Sequence, residues 1–140
     1  MMRAVVDTNI LIRSILNPKG PTGLLLEKLR AGRFRLLYSE PLLEELADVL
    51  ARPRFRNKYR VSADDVSDIL SLIVQEGEEV SPSAPIAACR DPKDNKVLEA
   101  AFFGQADVIV TGDEDLFALD PFEGIRILGL PDFLARLRAG

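Results

Sequence analysis

The sequence predicts an α/β fold, a central parallel sheet covered by helices on both faces. Two observations carry this: short apolar runs that read as buried strands recur along the chain, and segments of helical apolar periodicity separate them. A third bounds it. A length of 140 residues, 47% of them hydrophobic, suits one compact domain over residues 1–140, with a core large enough to need no disulfide or structural metal.

The elements follow in order. Residues 3–6 (Arg-Ala-Val-Val) form the first expected strand, which ends at Asp7. Thr8-Asn9 leads into an apolar-periodic helix over 10–16, closed by the Asn-Pro-Lys-Gly of 17–20. A second helix spans 21–31, with Pro near its start and Gly32 after its end. Residues 34–38 read as a strand, and Ser39 caps a third helix to about residue 50, with Leu42, Leu43, Leu46, Val49 and Leu50 on one face. The basic stretch 52–60 connects onward as a loop. Ser62-Ala63-Asp64-Asp65 has the spacing of a capping box and opens a helix to about residue 76. A short strand over 78–81 and a loop at 82–85 lead to Asp91-Pro92-Lys93-Asp94, which opens a helix through residue 103. Residues 107–111 read as a strand, 112–115 as a turn and 125–128 as a last strand, before a final helix from Pro131.

Composition excludes whole classes of function. No run approaches the ~20 apolar residues of a membrane span, and Asp7 interrupts the opening apolar stretch, so neither a membrane anchor nor a signal peptide is expected. A cytoplasmic protein is the expectation. The chain has no histidine, which removes Ser-His-Asp and Cys-His catalysis and every His-ligated metal site. Its single cysteine, Cys89, has no histidine to activate it and no second cysteine to pair with. Catalysis at neutral pH falls to other groups, and carboxylates without histidine point to hard cations with oxygen ligands, Mg²⁺ or Mn²⁺.

Four acids stand where such a site would form. In open α/β sheets, sites lie beyond the carboxyl ends of strands. Asp7 directly follows Val5-Val6, and Asp113 follows residues 108–111 after one glycine. Glu45 lies beside the apolar face of its helix, whereas Glu44 points to solvent; Asp94 projects from the stripe formed by Val97, Leu98, Ala101 and Phe102. A carboxylate on an apolar face is costly unless it is paired, and a shared cation would resolve that cost. Plainer roles exist for each: Asp7 as a helix cap, Asp94 as a first-turn acid behind an Asp91 cap, Asp113 as a turn residue, and Glu45 as a boundary acid paired with an arginine.

The chain resembles the PIN-domain family of ribonucleases, in particular the VapC-like toxins of toxin–antitoxin pairs. Four segments carry the resemblance: residues 5–11 (Val-Val-Asp-Thr-Asn-Ile-Leu), residues 39–46 with 50–55, residues 91–101 (Asp-Pro-Lys-Asp-Asn-Lys-Val-Leu-Glu-Ala-Ala), and residues 110–116 (Val-Thr-Gly-Asp-Glu-Asp-Leu). It spans about residues 3 to 133. The resemblance implies a three-layer α/β/α sandwich with strand order 3-2-1-4-5. It also implies that Asp7, Glu45, Asp94 and Asp113 are an acidic metal-binding quartet, that Asp115 is an additional acid beside the fourth, and that Thr8, Asn9 and Thr111 support them. The implied activity is metal-dependent cleavage of RNA phosphodiesters, leaving 5′-phosphate and 3′-hydroxyl ends. The implied partners are RNA, a cognate antitoxin protein and a second copy of the chain in a homodimer.

The formal charge of −4 is unlike that of a strongly basic nucleic-acid binder, so distribution matters more than the total. Residues 52–60 (Arg-Pro-Arg-Phe-Arg-Asn-Lys-Tyr-Arg) hold five cations, no acid and two aromatics. Arg52, Arg54, Arg56, Lys58 and Arg60 suit phosphate contacts, with Phe55 or Tyr59 stacking on an unpaired base; the same residues also suit a solvated connection anchored by its aromatics. Two other function classes remain open at this level: a catalytically silent module that only binds a partner, and an aspartyl-phosphatase-type hydrolase, which wants a second Asp where this chain has Asn9.

Overall fold

A computed structural model describes residues 1–17 and 19–139. In chain order the elements are β1 (Arg3–Val6), α1 (Thr8–Leu16), α2 (Pro21–Arg30), β2 (Arg35–Tyr38), α3 (Glu40–Ala51), α4 (Pro53–Tyr59), α5 (Ala63–Glu76), β3 (Gly77–Glu79), a 3₁₀ turn (Pro92–Asp94), α6 (Asn95–Phe103), β4 (Val108–Val110), α7 (Glu114–Phe117), β5 (Arg126–Leu128) and α8 (Leu130–Ala139). The strands form one five-stranded sheet in the order β3-β2-β1-β4-β5, and every pairing is parallel. This is the order implied by the family resemblance. Pro18, part of the expected closure of α1, lies outside the described residues.

Strand residues alternate between two cores, as a period of two demands. Ala4, Val6, Leu36, Val108, Val110 and Leu128 face one core, which α1, α2, α3, α5 and α8 complete. Val5, Leu37, Ile109 and Ile127 face the other, completed mainly by α6 and α7. Helices thus cover both faces of the sheet. Among the described residues, no helix is long and apolar enough to cross a membrane.

Local signals set the helix ends. The Leu42 N–H donates to Ser39 Oγ at the start of α3. Ser62 and Asp65 exchange two hydrogen bonds of 3.0 and 2.9 Å, closing the expected capping box on α5. Gly32, at φ +68°, ends α2: its N–H reaches Leu29 O, and the Arg33 N–H reaches Lys28 O. That paired pattern requires the left-handed backbone that glycine adopts without steric cost.

The structure departs from the sequence expectations at four points. Residues 53–59 form a helix rather than a loop; Pro53 starts it, and only Phe55 and partly Arg56 turn inward, so no apolar stripe announces it. The expected turn after β4 continues into the four-residue α7. The segment before α6 winds as a 3₁₀ turn, because Asp91 caps it and Pro92 occupies its first position. Phe102, expected in the apolar stripe of α6, is 43% exposed, whereas Ala100 is buried. At 3.6 residues per turn Phe102 falls about 120° from the middle of the buried arc formed by Val97, Leu98, Ala100 and Ala101.

α6 docks on the sheet through Leu98, which is fully buried. Leu98→Ala is expected to lower unfolding free energy by about 3 kcal/mol, the scale of a buried leucine truncation. Urea denaturation would measure this, and a loss below about 1 kcal/mol would show that α6 is not anchored there.

Candidate metal centre

β1 and β4 are neighbours and run in the same direction, so their carboxyl ends share one edge of the sheet. The Asp7 N–H donates to Val110 O at 2.9 Å, and Asp7 O accepts from the Ile10 N–H at 3.0 Å. The backbone therefore leaves the sheet and enters α1 at this residue, with the carboxylate left buried at the strand edge. Asp7 occupies the N-cap position of α1, yet its side chain makes no capping hydrogen bond. Instead the fully buried Thr111 donates from Oγ1 to Asp7 Oδ2 at 2.8 Å, and Thr111 Oγ1 in turn accepts the Asp113 N–H at 3.0 Å. Asp113 Oδ1 then accepts the Asp115 N–H at 2.9 Å and caps α7. The turn role expected for Asp113 coexists with its place among the acids.

The third segment contributes from the opposite face of the sheet. Asp91 is exposed and accepts the Lys93 N–H at 3.1 Å, so the cap is Asp91 and not Asp94. Asp94, half-buried, joins Asp113 and Asp115: one carboxylate oxygen from each lies within 4.8 Å of the others. Oxygens sharing one small divalent cation stand about 3–4 Å apart, so small side-chain adjustments would bring this trio onto one ion. Asp7 stands outside the trio but within its field, because Asp113 acts on Asp7 and Asp7 acts on Asp94, while Glu45 acts on Asp7 alone among these acids. Glu45 is half-buried and held by Lys96 Nζ at 2.6 Å, a lysine of α6 rather than the arginine considered above. A hollow of about 160 Å³ opens beside the acids, lined by Asp7, Asn9, Ile10, Arg13, Gly112 and Asp113.

The supporting polar residues divide. Thr111 bonds two of the acids directly. Asn9 is exposed at the hollow, while Thr8 is buried and lines a separate, small void among Val6, Leu11 and Leu36. The basic residues stand apart. Arg52, Arg54, Lys58 and Arg60 are exposed on or beside α4, and the half-buried Arg56 donates to Val61 O. Phe55 packs on the core, whereas Tyr59 is exposed, with Lys58 Nζ 5.3 Å from its ring centre. The hollows lined by Arg56, Tyr59 and Arg60 share no residue with the acidic one.

Cys89, Lys96 and Arg13 complete these surroundings; in the sequence Cys89 stood out only as a nucleophile to be weighed, and the other two were not singled out. Arg13 carries a readable signal, standing four residues after Asn9 on the same helical face. Cys89 and Lys96 arrive by tertiary contact. Cys89 Sγ lies 3.8 Å from Asp94 Oδ2, and its backbone N–H donates to Asn95 Oδ1.

Electrostatics at the site is that of crowded acids. Burial pushes the Asp7 carboxyl up, the Thr111 hydrogen bond opposes this, and the charges of Asp113 and Glu45 add to the rise. Burial, then the hydrogen-bonded approach and charge of Asp113, with Asp7 and Asp91 behind, push Asp94 up to about 7. Burial also raises the Cys89 thiol, so it stays protonated as a donor and offers no thiolate to a soft metal. The available donors are hard oxygens, which fit Mg²⁺ or Mn²⁺. Asp94 ordinarily titrates near 3.8, so between there and about 7 the metal-free native state holds a proton that the unfolded chain has lost. Its contribution therefore weakens the fold as pH rises through that window and is fully adverse above it. In EDTA, Asp94→Asn is expected to melt above the parent at about pH 8, with the difference shrinking as pH falls and gone by about pH 3, where both states are protonated. Equal melting temperatures at the higher pH would contradict the raised carboxyl.

Comparison with known proteins agrees with this layout. Residues 3–115 match the sequence model of the PIN domain. The chain is also similar to Uncharacterized protein MJ1680 of Methanocaldococcus jannaschii, with 30% identity over 118 residues, which are 84% of this chain and 75% of that relative. With the match running from the first strand through Asp115, the chain belongs to the PIN domain family.

Proposed function

We propose that this protein is a Mg²⁺- or Mn²⁺-dependent endoribonuclease. PIN domains are generally nucleases, which supports hydrolysis of phosphodiesters. The observation that carries the reading is the convergence of Asp94, Asp113 and Asp115, with a raised Asp94, at the end of β4. Carboxylates this close repel one another and repel a phosphodiester, unless a divalent cation neutralises them.

Asp94, Asp113 and Asp115 would hold the cation, with Asp7 joining directly or through water. A divalent ion bound there would supply a water of lowered pKa and stabilise charge on the phosphorus oxygens. The residues themselves supply position. Thr111 fixes the Asp7 carboxylate, the Asp115 amide fixes that of Asp113, and Lys96 holds Glu45 beside the cluster, where it orients the attacking water. Products carry 5′-phosphate and 3′-hydroxyl ends. Arg52, Arg54, Lys58 and Arg60 on the α4 side, with the exposed Tyr59, suit contact with flanking single-stranded RNA.

The motif resemblance supports a VapC-like role, in which residues 1–140 act as one cytoplasmic domain, pair as a homodimer and are held inactive by a cognate antitoxin protein.

The test is cleavage of a mixed single-stranded and structured RNA pool with Mg²⁺ or Mn²⁺. Cleavage is expected to vanish in EDTA and to fall by about 100-fold or more in Asp7→Asn and Asp94→Asn, the scale lost when a charge-stabilising group is removed. Folded variants that cleave like the parent would sink the carboxylate mechanism. Absence of cleavage together with absence of Mn²⁺ binding by calorimetry would favour a partner-binding module.

A further inference from the structure

The hollow beside the acids has a cationic wall, formed by Arg13. Arg13 and Asn9 are four residues apart on α1, so both side chains leave the helix on one face, and both are exposed. The facing wall is bare backbone. A Cβ built on Gly112 would meet Arg13 Nη1 at 3.8 Å, so the guanidinium lies over that glycine, one residue before Asp113. No side chain intervenes at Gly112 between this cation and the cluster edge.

The chemistry of this corner selects an anion with several oxygens. A guanidinium presents paired N–H donors in a planar fork that matches two oxygens of one phosphate, and the Asn9 amide can add a further donor. At about 160 Å³ the hollow is smaller than the ~300 Å³ at which pockets for whole drug-sized ligands begin, so it suits a phosphate group and its water rather than a complete nucleotide. Asp7 and Asp113 form its other side, and an anion enters only once their charge is neutralised.

We propose that Arg13, with Asn9, forms a phosphate subsite that holds the backbone of the nucleic-acid strand beside the acid cluster. Arg13 is then a substrate-positioning residue. This rests on the nuclease reading, and its test is separable from that reading.

Binding of a fluorescein-labelled, mixed-sequence single-stranded RNA is followed by anisotropy, with Ca²⁺ present to neutralise the acids, across a salt series. Arg13→Ala is expected to weaken binding about tenfold, as loss of a charge-assisted contact does. The salt slope should fall by about 0.7, the value for one phosphate contact on a single strand. Arg13→Lys is expected to restore the slope but only part of the affinity, because an ammonium has no fork. In Arg13→Ala, a loss below about threefold, or an unchanged slope, overturns the subsite; so does wild-type protein that fails to bind the RNA. Cleavage lost in Asp94→Asn alongside normal binding by Arg13→Ala would remove the subsite and leave the nuclease reading standing. Binding lost in Arg13→Ala, in a protein that cleaves nothing with any divalent ion, would do the reverse.

Discussion

The Thr111 hydroxyl joins the fold to its acids. It is fully buried where β1 and β4 end together, donating to Asp7 and accepting from the Asp113 amide. A hydroxyl can do both at once, and a methyl in its place would leave a buried carboxylate without that donor. From there the order propagates through backbone geometry. Asp113 turns the chain into α7 by capping it, and the cap's donor is the amide of Asp115. Three acids are thus threaded on one series of hydrogen bonds, which holds them in place despite their mutual repulsion.

Asp94 comes from a different layer, which makes the site depend on packing as well as on hydrogen bonding. Its position follows from how α6 lies on the sheet, with Val97, Leu98, Ala100 and Ala101 set against the face that carries Val5 and Ile109. Close-packed interiors do not slide cheaply, so the start of this helix, and with it the backbone of Asp94, keeps its place on the sheet. The preceding loop is tied to the same turn by the Cys89 amide on Asn95, and the Cys89 thiol contacts Asp94 itself. Glu45 enters from α3 and is linked to α6 by Lys96.

The strands were legible as short apolar runs, the helices by a period of 3.6 and by punctuation by Ser, Gly and Pro, and the strand-end acids by their place directly after those runs. Glu45 was separated from Glu44, and Asp94 from ordinary surface acids, by helical angle alone. The preference for Asp94 over Asp91 needed the motif as well, and the structure supplies its physical reason, an exposed cap at Asp91. What escaped was structure without an apolar stripe. α4 turns little but Phe55 inward, and α7 is a single turn inside an acidic stretch, so neither leaves a periodic trace. Tertiary partners escaped for a different reason. Nothing local in Lys96 says that it meets Glu45, and nothing local in Thr8 says that it faces a void instead of the acids.

Net charge misleads for this molecule, because the field at a site is set by the charges within a Debye length of it. The formal −4 gathers in part around Asp7, Asp94, Asp113 and Asp115, while positive charge collects apart from them along α4, at Lys96 against Glu45, and beside the acids at Arg13. A phosphodiester approaching the bare cluster is repelled; with two charges neutralised, the same edge presents the Arg13 guanidinium. By reciprocity, an anion that binds better to the neutralised cluster must also tighten the cation. On the nuclease reading, ion and strand therefore bind cooperatively, with the Asp94 proton as their competitor: acidification fills the site with a proton and empties it of both.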